Sequence, residues 1–100
     1  MGMAAEQKHV IQRVQTGVRM EKRLLKILKT LADYHDITLG DLLEGIVLHA
    51  FDGKCAFQQA SLRRVKELKK FYGFDLDSSA SHRLVEGGAV RALRKVKAAP

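Results

Sequence analysis

The side chains that could carry chemistry in this sequence are mainly cationic, and they are distributed unevenly. The chain has 100 residues, with 18 lysines and arginines against 11 acidic residues and a net charge of +7. Residues 1–29 hold seven bases and two acids, residues 30–53 five acids and no base, and residues 54–100 eleven bases and four acids. Two basic regions therefore flank an acidic one. A basic surface attracts polyanions without specifying which one.

The residues that usually serve catalysis or metal binding do not form a recognisable pattern. Four histidines and Cys55 are too widely spaced for a Cys-x-x-Cys or His-x-x-x-His ligand set. Ser81 and His82 are neighbours in the chain, and adjacent residues of a helix point apart. Cys55 lacks the surroundings of a nucleophile. We therefore predict that the protein is not an enzyme and has no metal site and no cofactor.

The composition predicts one small, mainly helical domain in the cytoplasm. Pro100 is the only proline, and no apolar run approaches the roughly 18 residues needed to span a bilayer. Residues 1–8 lack the apolar stretch of a secretory signal. A single cysteine cannot form an internal disulfide, which fits a reducing compartment. We expect no association with membranes.

Residues 14–20 alternate in character. One side of the alternation is Val14, Thr16, Val18 and Met20, and the other is Gln15, Gly17 and Arg19. A period of two residues predicts a half-buried β-strand. Because a lone strand leaves its backbone groups without hydrogen bonds, we expect the same strand of a second copy to pair with it. The expected unit is a homodimer.

Helical periodicity begins directly after this segment. Leucines at three- and four-residue steps predict a first helix over residues 21–35. Thr38, with Asp41 three residues later, predicts the N-cap of a second helix that ends at Gly53. A third helix is predicted from Ser61 to Tyr72 and a short fourth from Ser81 to Val85, with Asp77-Ser78-Ser79 as its cap.

These elements divide the chain into four parts. Residues 1–12 are predicted to be a flexible N-terminal arm, and residues 13–53 the dimerising core. Residues 54–87 are predicted to be a helical extension. Residues 88–100 are basic and have little to bury, so a disordered tail is expected there.

Strand, helix, a short loop ending in Thr and a second helix resemble the Arc/MetJ/CopG-type ribbon-helix-helix family. Residues 14–20 resemble its ribbon, and residues 38–43 resemble the start of its second helix. The first-helix core positions are matched by Leu24, Leu28, Leu31 and Ala32. The resemblance implies a mainly α fold in which one short strand pairs across a homodimer, with a C-terminal helical extension added.

In that family the antiparallel ribbon lies in the major groove of double-stranded DNA. The resemblance implies that Gln15, Gly17 and Arg19 face the bases. Arg can pair with guanine and Gln with adenine, while Gly allows a close approach of the backbone. The start of the second helix would offer backbone N–H groups to a phosphate. Its residues are Thr38, Leu39 and Gly40.

Several assignments have an ordinary structural alternative. Arg19 is either a base reader or a solvated strand residue. Arg13 either contacts a phosphate or belongs to a free arm. On the first helix, phosphate contact competes with an ordinary solvated face for Lys22, Arg23 and Lys26. The basic third helix either touches DNA or an anionic membrane, or packs by its apolar face and leaves its charges in water.

The function expected from this resemblance is a dimeric transcriptional regulator. The alternative is a protein-interaction module, such as an antitoxin whose extension, residues 54–87, holds a partner protein. A segment of that kind orders only on binding, whereas the third and fourth helices are expected to fold without a partner.

Overall fold

The computed structural model describes residues 8–87, and three α-helices of equal length dominate this part of the chain. Their bounds are Lys22–Tyr34 for α1, Leu39–Phe51 for α2 and Gln59–Phe71 for α3. Each has 13 residues and is therefore about 20 Å long. None of the helices in the described residues is long and apolar enough to cross a membrane. The mainly α class and the three helices are confirmed.

Side chains cap the starts of α1 and α2, and glycines follow the ends of α2 and α3. The Glu21 carboxylate accepts the N–H of Leu24 at 2.7 Å at the start of α1. Thr38 Oγ1 accepts the N–H of Asp41 at 3.0 Å, which confirms the predicted N-cap of α2. Two residues after the last residues of α2 and α3 stand Gly53 and Gly73, with φ of 69° and 66°. Glycine adopts this left-handed conformation without strain, and the chain can then turn sharply.

The predicted strand at residues 14–20 is wrong. No strand or sheet occurs in residues 8–87, and residues 8–20 form an irregular segment, here called the N-terminal segment. Its residues 9–20 form no backbone hydrogen bond to any other described residue. A single chain offers this segment no neighbouring strand, and Val14 and Val18 remain 82% and 73% exposed. The ribbon-helix-helix assignment, with strand pairing across a dimer, is therefore not supported by the fold.

The hydrophobic core is small and lies around α1. Its five buried side chains are Ile27, Leu31, Ala32, Leu42 and Phe74. Helices α2 and α3 both pack on α1, and in the described residues they do not pack on each other. Of the predicted first-helix core positions, Leu31 and Ala32 are buried and Leu24 and Leu28 are partly buried against the same cluster.

The segment after α3 contains less helix than expected. A single 3₁₀ turn, Ser78–Ala80, replaces the predicted fourth helix at residues 81–85. The Asp77 carboxylate accepts the N–H of Ser79 at 2.9 Å and caps this turn. His82 then takes a left-handed conformation with φ of 65°, which a helix cannot contain. The predicted tail, residues 88–100, and residues 1–7 of the predicted arm lie outside the described residues.

Candidate nucleic-acid interface

Two basic stretches that are separate in the sequence, α1 and α3, lie side by side in the structure. Thr30 Oγ1 on α1 lies 3.2 Å from the hydroxyl of Tyr72, directly after α3. At the other end of the contact, the guanidinium carbon of Arg64 lies 3.5 Å from the ring centroid of Tyr34. These contacts fix the two helices along one another.

Six cations from the two helices form what we call the α1–α3 basic surface. Its members are Lys22, Arg23 and Lys26 of α1 and Lys66, Lys69 and Lys70 of α3. The helical spacing explains the grouping, because residues three and four positions apart share a face of a helix. The three lysines of α3 also line a groove of about 530 Å³.

Two aromatic rings after α3 hold cations from both helices. The guanidinium carbon of Arg23 and the Nζ of Lys69 lie 5.5 Å and 5.7 Å from the ring centroid of Phe74. The Nζ of Lys26 lies 5.8 Å from the ring centroid of Tyr72. Cations within about 6 Å of an aromatic face are attracted to it. The rings therefore bring positive charge from α1 and α3 to one place.

The turn at Gly73 positions these rings. The left-handed glycine directs the chain back, so that Phe74 enters the core and is only 8% exposed. The N–H of Phe74 donates to the carbonyl of Lys69 at 2.8 Å. Arg23 Nη1 donates to the carbonyl of Gly73 at 2.6 Å and ties α1 to the turn.

Four carboxylates adjoin the surface without neutralising it, and one of them, Glu86, lines a pocket together with Lys22 and Arg23. Glu21 accepts the side chain of Arg23 at 3.2 Å, and Asp75 lines the groove. The N–H of Leu24, with a smaller contribution from Arg23, lowers the pKa of Glu21. Hydrogen bonds from Ser79, and the nearby charge of Lys69, lower the pKa of Asp77. Six cations against four carboxylates, one of which is also paired with Arg19, leave a net positive surface.

The predicted base readers lie apart from this surface and from one another. Arg13 donates twice to the carboxylate of Glu44 on α2, at 2.8 and 2.9 Å, and these hydrogen bonds lower the pKa of Glu44. Arg19 is paired with Glu86 instead. Gln15 and Gly17 lie between them and are exposed. Both arginines would have to leave a carboxylate before contacting DNA.

The other residues that were predicted to contact DNA lie in two separate parts of the structure. Lys22 and Arg23 belong to the α1–α3 basic surface. Thr38, Leu39 and Gly40 open α2, where the Thr38 hydroxyl is already used by the N–H of Asp41. Helix α2 carries no lysine or arginine. The structure therefore does not bring its N-terminus together with the cluster of cations.

The sequence predicts the basic face of α3 but not its contact with α1. Only the contacts of Tyr72 and Phe74 show that the two basic faces are one surface. A signal was present in the aromatic residues around Gly73, because an apolar ring after a helix-ending glycine often packs back on the helix. That signal did not identify α1 as the neighbour.

Neither a metal site in the described residues nor a similar protein adds to this description of the surface. Within residues 8–87, no three His, Cys, Asp or Glu side chains are grouped so that they could hold a metal ion. Comparison of the chain with protein-family models, curated proteins and solved structures finds no match.

Proposed function

We propose that this protein binds double-stranded DNA through the α1–α3 basic surface. The observation that carries the proposal is the meeting of Arg23, Lys26 and Lys69 around the rings of Tyr72 and Phe74. Lysine and arginine side chains supply most contacts to phosphates, and their number sets the salt dependence of binding. Cations held by aromatic rings lose less conformational freedom on binding than fully mobile ones.

The proposed contacts are to the DNA backbone. Such contacts position a protein on the duplex but carry no sequence information by themselves. Arg13, Gln15 and Arg19 remain candidates for further contacts, because the N-terminal segment leads into α1 at Lys22. The ion pairs of the two arginines are exposed to solvent, and exposed ion pairs are weak. A phosphate could therefore compete with Glu44 and Glu86 for them.

The alternative function, a partner-binding extension of the antitoxin kind, has less support. Helix α3 makes up much of that extension, and it already packs on α1 in the single chain. An extension that orders only on a protein partner would lack such contacts.

The test measures the binding of a labelled DNA duplex by fluorescence anisotropy between about 50 and 200 mM salt. We expect the Lys26→Gln, Lys69→Gln double variant to bind more weakly and to lower the slope of log K against log salt by about 1.8, since each phosphate contact contributes about 0.9. The matched control is a variant with Lys8→Gln and Lys54→Gln, which removes the same charge elsewhere.

The control is necessary because any protein with a charge of +7 attracts DNA to some extent. If the two double variants lose the same affinity and the same slope, binding depends on net charge alone and the α1–α3 basic surface is not the site. Absence of salt-dependent binding by the parent protein would refute the proposal altogether.

A further inference from the structure

Phe71, the last residue of α3, exposes an aromatic ring beside the α1–α3 basic surface. It is 78% exposed, and its ring meets the ring of Tyr72 edge to face, with 5.1 Å between the centroids. The Nζ of Lys26 lies 5.8 Å from the centroid of the same Tyr72 ring. Lys70 directly precedes Phe71 in the chain. The exposed ring therefore lies next to cations of both helices.

Phe51 is a matched comparison within the same chain. It ends α2 as Phe71 ends α3, and it is 81% exposed. Single exposed apolar side chains are ordinary, so exposure alone assigns no role to either residue. The charged residues of α2 are Asp41 and Glu44, whereas α3 carries five lysines and arginines and one carboxylate, Glu67. Of these two phenylalanines, only Phe71 combines an exposed ring with cations that attract phosphates.

A second aromatic–cation pair lies further along the contact between α1 and α3. The guanidinium of Arg64 lies over the ring of Tyr34, which is more than half exposed. Within residues 8–87, Arg64 forms no ion pair, and its Nε is buried without a hydrogen-bond partner. Lys26, Thr30 and Tyr34 are spaced by four residues, so they share a face of α1 over about 12 Å. The two aromatic–cation pairs therefore follow one another along this face.

Cations and exposed rings in succession suit a nucleic-acid strand with unpaired bases. The cations contact the phosphates, and a ring can stack on any base, because every base has an aromatic face. The bases of a duplex are already paired and stacked on one another, so an exposed ring reaches only those at its ends. A single strand gains less from each phosphate contact, with a salt slope of about 0.7 against about 0.9 for a duplex, and stacking offsets this difference.

We propose that Phe71 stacks on an unpaired base and that the α1–α3 basic surface thereby also binds single-stranded nucleic acid. Lys26 and Lys70 contact the phosphates next to that base. Arg64, lying over Tyr34, extends the path of the strand along α1. Single-strand binding rests on the proposed function, because the same cations contact the phosphates, and it adds an aromatic contact that the paired bases of a duplex do not make. Stacking requires no particular sugar, so the strand can be DNA or RNA.

The first test uses Phe71→Trp, which introduces the only tryptophan of the chain. A base that stacks on an indole quenches its fluorescence, so the signal reports the contact itself. We expect saturable quenching by oligothymidine or oligouridine of about 12 nucleotides, and the two probes distinguish DNA from RNA as the source of the strand. Phe51→Trp, on the acidic helix, is the control and should not be quenched. Equal quenching of the two variants, or none in Phe71→Trp, would overturn the proposal.

The second test separates stacking from phosphate contacts by fluorescence anisotropy. Phe71→Leu keeps an apolar side chain at an exposed position but removes the aromatic face, and circular dichroism checks that the helices remain folded. We expect this variant to bind the labelled single strand at least about fivefold more weakly, with an unchanged salt slope and an unchanged affinity for the duplex. Phe51→Leu should bind both probes as the parent does. An equal loss for single strand and duplex would contradict stacking on Phe71.

Single-strand stacking and duplex binding can fail independently of each other. If Phe71→Leu binds the single strand as the parent does, while the Lys26→Gln, Lys69→Gln variant loses duplex affinity, the stacking contact is refuted and duplex binding stands. If the parent binds the single strand in a manner that depends on Phe71 but does not bind the duplex, the assignment to double-stranded DNA is refuted and the stacking contact stands.

Discussion

Phe74 belongs both to the hydrophobic core and to the α1–α3 basic surface, so its replacement tests whether the two depend on each other. The ring is 8% exposed and attracts the side chains of Arg23 and Lys69 at 5.5 and 5.7 Å. Phe74→Leu keeps an apolar side chain in the core but removes the aromatic face. We expect it to lower the free energy of unfolding by about 1 to 2 kcal/mol through packing. Each lost cation–ring contact adds about 0.5 kcal/mol at such a surface.

A double-mutant cycle separates the two contributions. Phe74→Leu is combined with Lys69→Gln, and the unfolding of all four proteins by urea is followed by circular dichroism. We expect a coupling free energy of about 0.5 kcal/mol between the ring and Lys69. The control cycle uses Lys70→Gln, which removes the next lysine in the same groove and makes no ring contact, and its coupling should be near zero.

Phe74→Leu is also expected to weaken DNA binding without changing its salt dependence. Phe74→Leu leaves every charge in place, so the salt slope should stay unchanged while the affinity falls several-fold as the cations lose their fixed positions. Equal coupling energies for Lys69 and Lys70, or unchanged DNA affinity in a folded Phe74→Leu protein, would refute the role given to the ring.

Two further predictions concern the stability of α1. Leu31 is 1% exposed in a small core, so Leu31→Ala should lower the free energy of unfolding, measured by urea denaturation, by about 2 to 5 kcal/mol. The control is Val10→Ala at a fully exposed position, which should change that free energy by less than about 0.5 kcal/mol. The hydrogen bond from the N–H of Leu24 is the main reason why the pKa of Glu21 in the folded protein lies below 4.5. The stabilisation of the folded state by the Glu21 carboxylate is therefore complete above pH 4.5 and is lost as the pH falls through the pKa of the folded protein. Thermal melts should therefore show that Glu21→Gln is less stable than the parent at neutral pH and that the difference in melting temperature shrinks in acid. A difference that does not change with pH would contradict the role of the Glu21 carboxylate as the N-cap of α1.

The sequence was sufficient to predict α1, α2 and α3, because local chemistry determines where they begin and end. The hydroxyl of Thr38 starts α2, and Gly53 and Gly73 end α2 and α3 by conformations that other residues seldom adopt. The periodicity of leucines correctly identified Leu31 as a core residue. None of these features depends on which elements pack together.

The errors arose where the outcome depends on distant parts of the chain or on another chain. The alternation at residues 14–20 predicts a strand only if a neighbour supplies hydrogen bonds, and none is present in residues 8–87. The helix predicted at residues 81–85 failed because His82 adopts a left-handed conformation. The contact of Lys26 with Tyr72 depends on how α1 packs against α3, and no local pattern encodes that pairing.

The acidic charge of α2 and the basic charge shared by α1 and α3 give the described part of the chain, residues 8–87, an electric dipole moment. Near a polyanion this moment produces a torque that turns the cationic side inward before contact, which raises the fraction of productive encounters. Added salt shortens the range of the torque, since the Debye length falls from about 10 Å at 0.1 M to about 3 Å at 1 M. The orientation of the protein as it approaches a polyanion thus follows from the position of α1 between the acidic α2 and the basic α3.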